Sequence, residues 1–134
     1  MLKILVVDDH TIVRNGLCQL LGEQSDLVIV GAAESGHYAL ELLNEGLDVD
    51  VMLTDLSMPG MDGFELTQRA LSRNPGLQVI VLSMHSTLAV TQKALAAGAK
   101  ACFSKDGDID HLLTSIRAVM QPAYLSADRS IASI

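Results

Sequence analysis

The sequence predicts an α/β domain: a five-stranded parallel sheet, doubly wound, with helices on both faces in three layers. Five short β-branched apolar runs alternate with five stretches of helical hydrophobic period. The connections are short, and parallel neighbours require helical crossovers rather than hairpins. Several of the apolar runs also stop on polar residues, which suits strands whose carboxyl ends line a site. A chain of 134 residues is long enough for one domain with a proper core.

Residues 2–7 (LKILVV) form a near-continuous apolar run, as expected of a strand buried on both faces, and lead into Asp8-Asp9. Helical spacing of Val13, Leu17, Leu20 and Leu21 predicts a helix over 11–21 with that stripe inward, ended by Gly22. Residues 27–33 are a second strand. Ser35 caps the next helix, whose Ala39, Leu42 and Leu43 face inward and which stops at Gly46. Val51, Met52 and Leu53 make a third strand ending on Thr54 and Asp55. Met58-Pro59-Gly60 then imposes a turn. A helix over 61–73 closes at Asn74-Pro75-Gly76, with Asp62 capping it and Met58 packing the turn. The fourth strand, 78–82, ends at Ser83. Ser86 or Thr87 opens an Ala-rich helix that ends at Gly98 and has a thin inward stripe of Leu88, Thr91 and Leu95. A short strand over 100–103 leads to Lys105. The last helix carries an unbroken stripe of Ile109, Leu112, Leu113, Ile116, Val119 and Met120 up to Pro122.

Composition excludes several classes. A net charge of −7 argues against direct binding of nucleic-acid phosphate by this segment, and aromatics at 3% with no tryptophan argue against a base-stacking platform. Hydrophobic residues reach 49%, yet no apolar run approaches the ~18 residues needed to span a bilayer. The N-terminus runs straight into a strand without signal-peptide architecture, so a cytoplasmic domain with no membrane contact is expected. Cys18 and Cys102 lack metal or CxxC spacing and read as reduced, buried thiols.

At the carboxyl edge of the sheet this order brings together Asp8 and Asp9, Asp55, Ser83 and Lys105. Asp55 alone could cap a helix, bind a cation or act as a nucleophile, and Asp8-Asp9 alone could cap the helix that follows. Three clustered carboxylates repel one another unless a cation compensates them, and a hard oxygen set suits Mg²⁺. The set has a coherent chemistry. Asp55 is the nucleophile toward phosphorus, Mg²⁺ and Lys105 neutralise the phosphoryl oxygens, and Ser83 donates a hydrogen bond, leaving an acyl phosphate on Asp55. His10 and His85 flank this cleft as rim residues.

VVDDH after the first strand, TDLSMPGMDG around Asp55, LS at the fourth strand and SKD after the fifth occur in order at fitting intervals. Together they resemble a response-regulator receiver domain over nearly the whole chain. The run DDHTIVRNGLCQLL further resembles the NarL/FixJ (LuxR-type) branch of two-component systems. The resemblance implies a flavodoxin-like strand order 2-1-3-4-5. It implies Asp55 as phosphoacceptor, Asp9 as direct Mg²⁺ ligand, Asp8 as a ligand mostly through water, and the backbone carbonyl of Ser57 as the third protein ligand. Ser83 matches the switch hydroxyl, and Lys105 the lysine that pairs with the phosphoryl group. The implied partners are a sensor histidine kinase, a second copy on activation, and DNA through a C-terminal helix-turn-helix domain. Residues 1–121 would then be the receiver, and 122–134 the start of the linker to that domain.

One position departs from the branch. Cys102 stands three before the lysine, where an aromatic is common, and Phe103 should point to the opposite face. Phosphorylation is therefore expected to shift the face of the fourth helix and fifth strand less than in relatives, or through other residues. A stand-alone receiver acting by protein contact or phosphorelay is the alternative function. An aspartyl phosphohydrolase fits poorly, because Ser57 stands where a second acid is wanted. A flavin carrier fits poorly too, because Asp8-Asp9 would repel a cofactor phosphate.

Overall fold

The computed structural model describes residues 1–84 and 87–120. The expected rim residue His85, the alternative cap Ser86 and the tail 121–134 lie outside them. Strands β1 (Leu2–Val7), β2 (Leu27–Ala33), β3 (Val51–Asp55), β4 (Gln78–Ser83) and β5 (Ala101–Ser104) alternate with helices α1 (Thr11–Gly22), α2 (Gly36–Asn44), α3 (Gly63–Arg73), α4 (Leu88–Ala97) and α5 (Ile109–Val119). The strands form one sheet in the order β2-β1-β3-β4-β5, every neighbouring pair parallel. The chain reverses direction across the sheet between β1 and β3, so the carboxyl ends of those two strands flank the switch point.

Strand alternation builds two cores. Leu5, Val7, Met52, Val79 and Val81 face one way and pack with Ala39 and Leu43 of α2, Leu66 and Ala70 of α3, and Ala94 of α4. Ile4, Val6, Val51, Leu53, Ile80 and Leu82 face the other way, onto Leu21 of α1 and Leu112, Leu113, Ile116 and Val119 of α5. Each fully buried side chain such as Leu66 or Ile116 contributes roughly 1.5–3 kcal/mol by leaving water. Cys102 packs with the first core and Phe103 with the second, the opposition that the pleat requires.

Polar side chains fix where several helices begin. Ser35 accepts from Tyr38 N–H at 3.1 Å, Asp62 from Glu65 N–H at 2.8 Å, and Thr87 from Val90 N–H at 3.2 Å. Because Asp62 is the cap, α3 starts at Gly63 rather than at residue 61. Gly98 ends α4 with φ +112°, a left-handed conformation that glycine adopts without a Cβ clash.

Two expected stripes are corrected. In α1 only Leu21 is fully buried, whereas Val13 and Leu20 are exposed at 37% and 44%. The reason is an apolar cleft of about 350 Å³ between α1 and the start of α5, lined by Val13, Leu17, Leu20, Phe103 and Ile109. In α4 the buried residue is Ala94, while Leu88 and Leu95 point outward. Leu95→Ser is accordingly expected to change unfolding free energy in urea by no more than about 0.5 kcal/mol, as an exposed substitution does. The two thiols are half-buried rather than buried. Neither is in a disulfide, and burial pushes the Cys18 thiol up, which keeps it protonated.

Candidate functional site

Asp8 follows β1 directly and is fully buried. Asp55 ends β3, a strand with every residue buried, and is itself 3% exposed. Thr54 Oγ donates to the Asp55 backbone carbonyl at 3.0 Å. From the β5–α5 connection Lys105 reaches between the two carboxylates, its Nζ 2.9 Å from Asp8 Oδ2 and 3.0 Å from Asp55 Oδ1. Its backbone N–H donates to the Ser83 carbonyl at 2.8 Å, which ties the lysine to the end of β4. Ser83 is also buried there, paired in register with Ser104.

Burial pushes the Asp55 carboxyl above the ordinary carboxylate range. Lys105 partly offsets this, and the neighbouring Asp8 charge adds to the rise. Burial alone would pull Lys105 down, but its hydrogen bonds to Asp8 and Asp55 outweigh that and raise it. The ammonium is thus held charged between two acids.

The other carboxylate oxygens turn toward a second locus. Asp8 Oδ1 accepts from the His10 backbone N–H at 2.8 Å and lies 3.1 Å from His10 Nδ1. Asp9 Oδ1 is 3.2 Å and Asp55 Oδ2 3.9 Å from the same nitrogen. One ligand atom from each of Asp8, Asp9, His10 and Asp55 falls within 4.8 Å of all the others. The Asp55 Oδ2 atom is buried and has no hydrogen-bond partner among the described residues, an expensive arrangement unless a cation serves it. The donor set therefore fits a divalent cation: three carboxylates converge, and a single ammonium compensates them only in part. Ser57 lies two residues beyond Asp55 on the exposed start of the loop, its N–H 3.4 Å from Asp55 Oδ1.

The structure thus brings Asp8, Asp9, Asp55, Ser83 and Lys105 to one edge of the sheet. It adds His10 more intimately than its sequence position conveyed. The ring keeps the exposure of a rim residue, 63% for the side chain, but its Nδ1 points into the acidic cluster. The signal available in the sequence was its place directly after the acidic pair. Gly63 is a second residue that sequence reasoning passed over. A Cβ there would lie 2.5 Å from the Asp55 carbonyl oxygen, and the Gly63 N–H bonds the Leu56 carbonyl at 2.8 Å. Any side chain must push the β3–α3 loop away from the Asp55 peptide. Gly63→Ala is expected to cost about 1–3 kcal/mol in urea unfolding, in the range of other overpacked sites.

Comparison with known proteins agrees with this geometry. The sequence pattern of the response regulator receiver domain matches residues 4–117. The transcriptional regulatory protein UhpA of Salmonella typhimurium is 40% identical over 133 residues, which is 98% of this chain and 65% of UhpA. The chain therefore spans a little under two thirds of that relative's length. The signal receiver domain of NarL from Mycobacterium tuberculosis superposes with a TM-score of 0.79 at 32% identity, covering 86% of this chain and 92% of that one. The isolated receiver domain of RcsB from Salmonella enterica serovar Typhimurium, solved with phosphomimetic BeF₃⁻, gives a TM-score of 0.81 at 29% identity, covering 90% and 89%. A sheet with switch-point carboxylates, a buried lysine between them and a match across 4–117 lead to one assignment: the chain belongs to the response regulator receiver domain family, in its LuxR/NarL-type branch of two-component systems.

Proposed function

We propose that this receiver takes a phosphoryl group onto Asp55 from a sensor histidine kinase and passes the change to an output domain that regulates transcription. The observation that carries the reading is the buried bridge Asp8–Lys105–Asp55 at the switch point, 2.9 and 3.0 Å on its two sides. An Asp55 carboxylate oxygen forms the new P–O bond while the P–N bond of the donor phosphohistidine breaks, and the departing imidazole nitrogen takes up a proton. Lys105, already charged and aimed at Asp55, exchanges a carboxylate for a phosphoryl oxygen. Ser83, at the neighbouring strand end, supplies a hydroxyl to the same group. Mg²⁺ would be held by Asp8, Asp9, Asp55 and the Ser57 carbonyl, and would supply charge neutralisation for the transferred group.

Residues 1–121 serve as the receiver in this reading, and 122–134 begin a linker to a DNA-binding domain. UhpA, a transcriptional regulatory protein of which this chain spans 65%, supports that arrangement. A homodimer on activation and a cytoplasmic location belong to the same proposal. No helix among the described residues is long and apolar enough to cross a membrane. Since Cys102 has no ring to carry into the core, the face of α4 and β5 moves less on phosphorylation than in relatives with an aromatic there.

The test is intact mass after incubation with acetyl phosphate and Mg²⁺. Wild type is expected to gain one phosphate adduct that requires Mg²⁺, and Asp55→Asn to gain none. An adduct of equal yield on Asp55→Asn would sink the assignment of the nucleophile.

A further inference from the structure

We propose that His10 is a nitrogen ligand of the cation site, so that the cleft takes a borderline first-row divalent ion such as Mn²⁺ or Co²⁺ directly onto three carboxylates and one imidazole. This rests on reading the acidic cleft as the receiver's cation site, and adds to that reading a donor type and a metal class.

The spacing accommodates a coordination shell in place of the hydrogen bond that His10 Nδ1 and Asp8 Oδ1 make without an ion. Ligands about 2.1 Å from a common ion lie about 3.0 Å apart when adjacent and about 4.2 Å apart when opposite. His10 Nδ1 stands 3.1 Å from Asp8 Oδ1 and 3.2 Å from Asp9 Oδ1, close to the adjacent value. It stands 3.9 Å from Asp55 Oδ2, close to the opposite value and too far for a hydrogen bond. That oxygen is the second and independent observation. It belongs to a side chain only 4% exposed, has no hydrogen-bond partner among the described residues, and faces the same point.

The backbone explains why the ring faces inward. His10 is the N-cap of α1 in an extended conformation, φ −90° and ψ 108°, and its side chain makes no capping bond. Its N–H is anchored on Asp8 Oδ1 at 2.8 Å, so main chain and imidazole converge on one carboxylate oxygen. Arg14 Nη1 in turn holds the Asp8 carbonyl at 2.7 Å and leaves the carboxylate itself for the cleft. Carboxylates alone suit Mg²⁺, which retains water and prefers oxygen. An imidazole nitrogen selects for later first-row ions instead.

The experiment is calorimetric titration of the apoprotein with MgCl₂, MnCl₂ and CoCl₂, for wild type, His10→Ala and Asp9→Ala, with pulsed EPR of the Mn²⁺-loaded forms. His10→Ala is expected to weaken Co²⁺ binding by about 10–100-fold, the range seen even for lost outer partners of a ligand, while Mg²⁺ binding changes by less than about threefold. Wild-type Mn²⁺ should show ¹⁴N hyperfine coupling that His10→Ala loses. Wild-type binding of all three ions with no ¹⁴N coupling, or with coupling that survives His10→Ala, would overturn the role of His10 and leave the cation site standing. Failure of wild type to bind any of the ions, or binding indifferent to Asp9→Ala, would overturn the cation-site reading itself and the proposal with it.

Discussion

Lys105→Met should lower unfolding free energy by about 2–4 kcal/mol when divalent cations are chelated. Its ammonium is 8% exposed and sits between carboxylates that are 1% and 4% exposed. Methionine preserves most of the stem's packing, so the change isolates the charge. It leaves two buried carboxylates facing each other with no ammonium between them, and removing one member of a buried ion cluster usually costs several kcal/mol. The cleft opens to solvent past Asp9 and His10, which screens part of the repulsion and keeps the loss below that of a fully enclosed cluster. Urea denaturation in EDTA measures it. Asp8→Asn added to Lys105→Met should recover most of the loss, since one of the two repelling charges is then gone, and that non-additivity is the signature of direct coupling. A single-mutant loss below about 0.5 kcal/mol would mean that the two carboxylates do not repel one another across the site in the folded protein.

Strands and their ends were legible in the sequence because burial on both faces leaves continuous apolar runs, and β1 and β3 have little else. Asp8 follows such a run and Asp55 ends one, while Lys105 comes directly after the short, partly buried β5; parallel topology then sends all three to one edge. Helix faces were less legible. Periodicity identifies a stripe but not what covers it, so Val13 and Leu20 kept helical spacing yet border an open cleft beside α5. In α4 the spacing of large residues pointed to the wrong face. Leu88 and Leu95 face outward, and the position that meets the core is held by the small side chain of Ala94. His10 was the harder case at the site. Its direction is set by the φ and ψ of a cap residue and by one bond to Asp8, neither of which residue spacing encodes. Gly63 stayed hidden likewise, since its requirement is a close approach to the Asp55 peptide and not an unusual backbone angle.

Asp55→Asn removes the proposed phosphoacceptor, yet at pH 7 in EDTA it should make the protein more stable than wild type, by about 1 kcal/mol or about 3–6 °C in Tm for a chain of this size. Burial, with the added repulsion of Asp8, raises the Asp55 carboxyl above its unfolded value despite Lys105. A carboxyl raised on folding binds its proton more tightly in the native state. Native stability therefore falls as pH rises from the unfolded pKa through the folded one, and the cost is fully present above both. Asparagine carries no such cost, so its advantage should be largest near neutrality and vanish as pH falls below the unfolded value. Lys105 keeps Asp8 as a partner in the mutant, which limits any offsetting loss. Divalent cation should then reverse the order. An ion that binds only the native state adds RT ln(1 + [L]/Kd), about 2.7 kcal/mol at one hundred times Kd, and wild type offers it a carboxylate that the mutant lacks. Thermal melts followed by far-UV circular dichroism, with and without 10-fold steps in Mg²⁺ concentration, give both signs in one series. A mutant less stable than wild type in EDTA at pH 7 would show that the Lys105 attraction exceeds the desolvation of Asp55, and that the apo cleft is balanced rather than waiting for a cation.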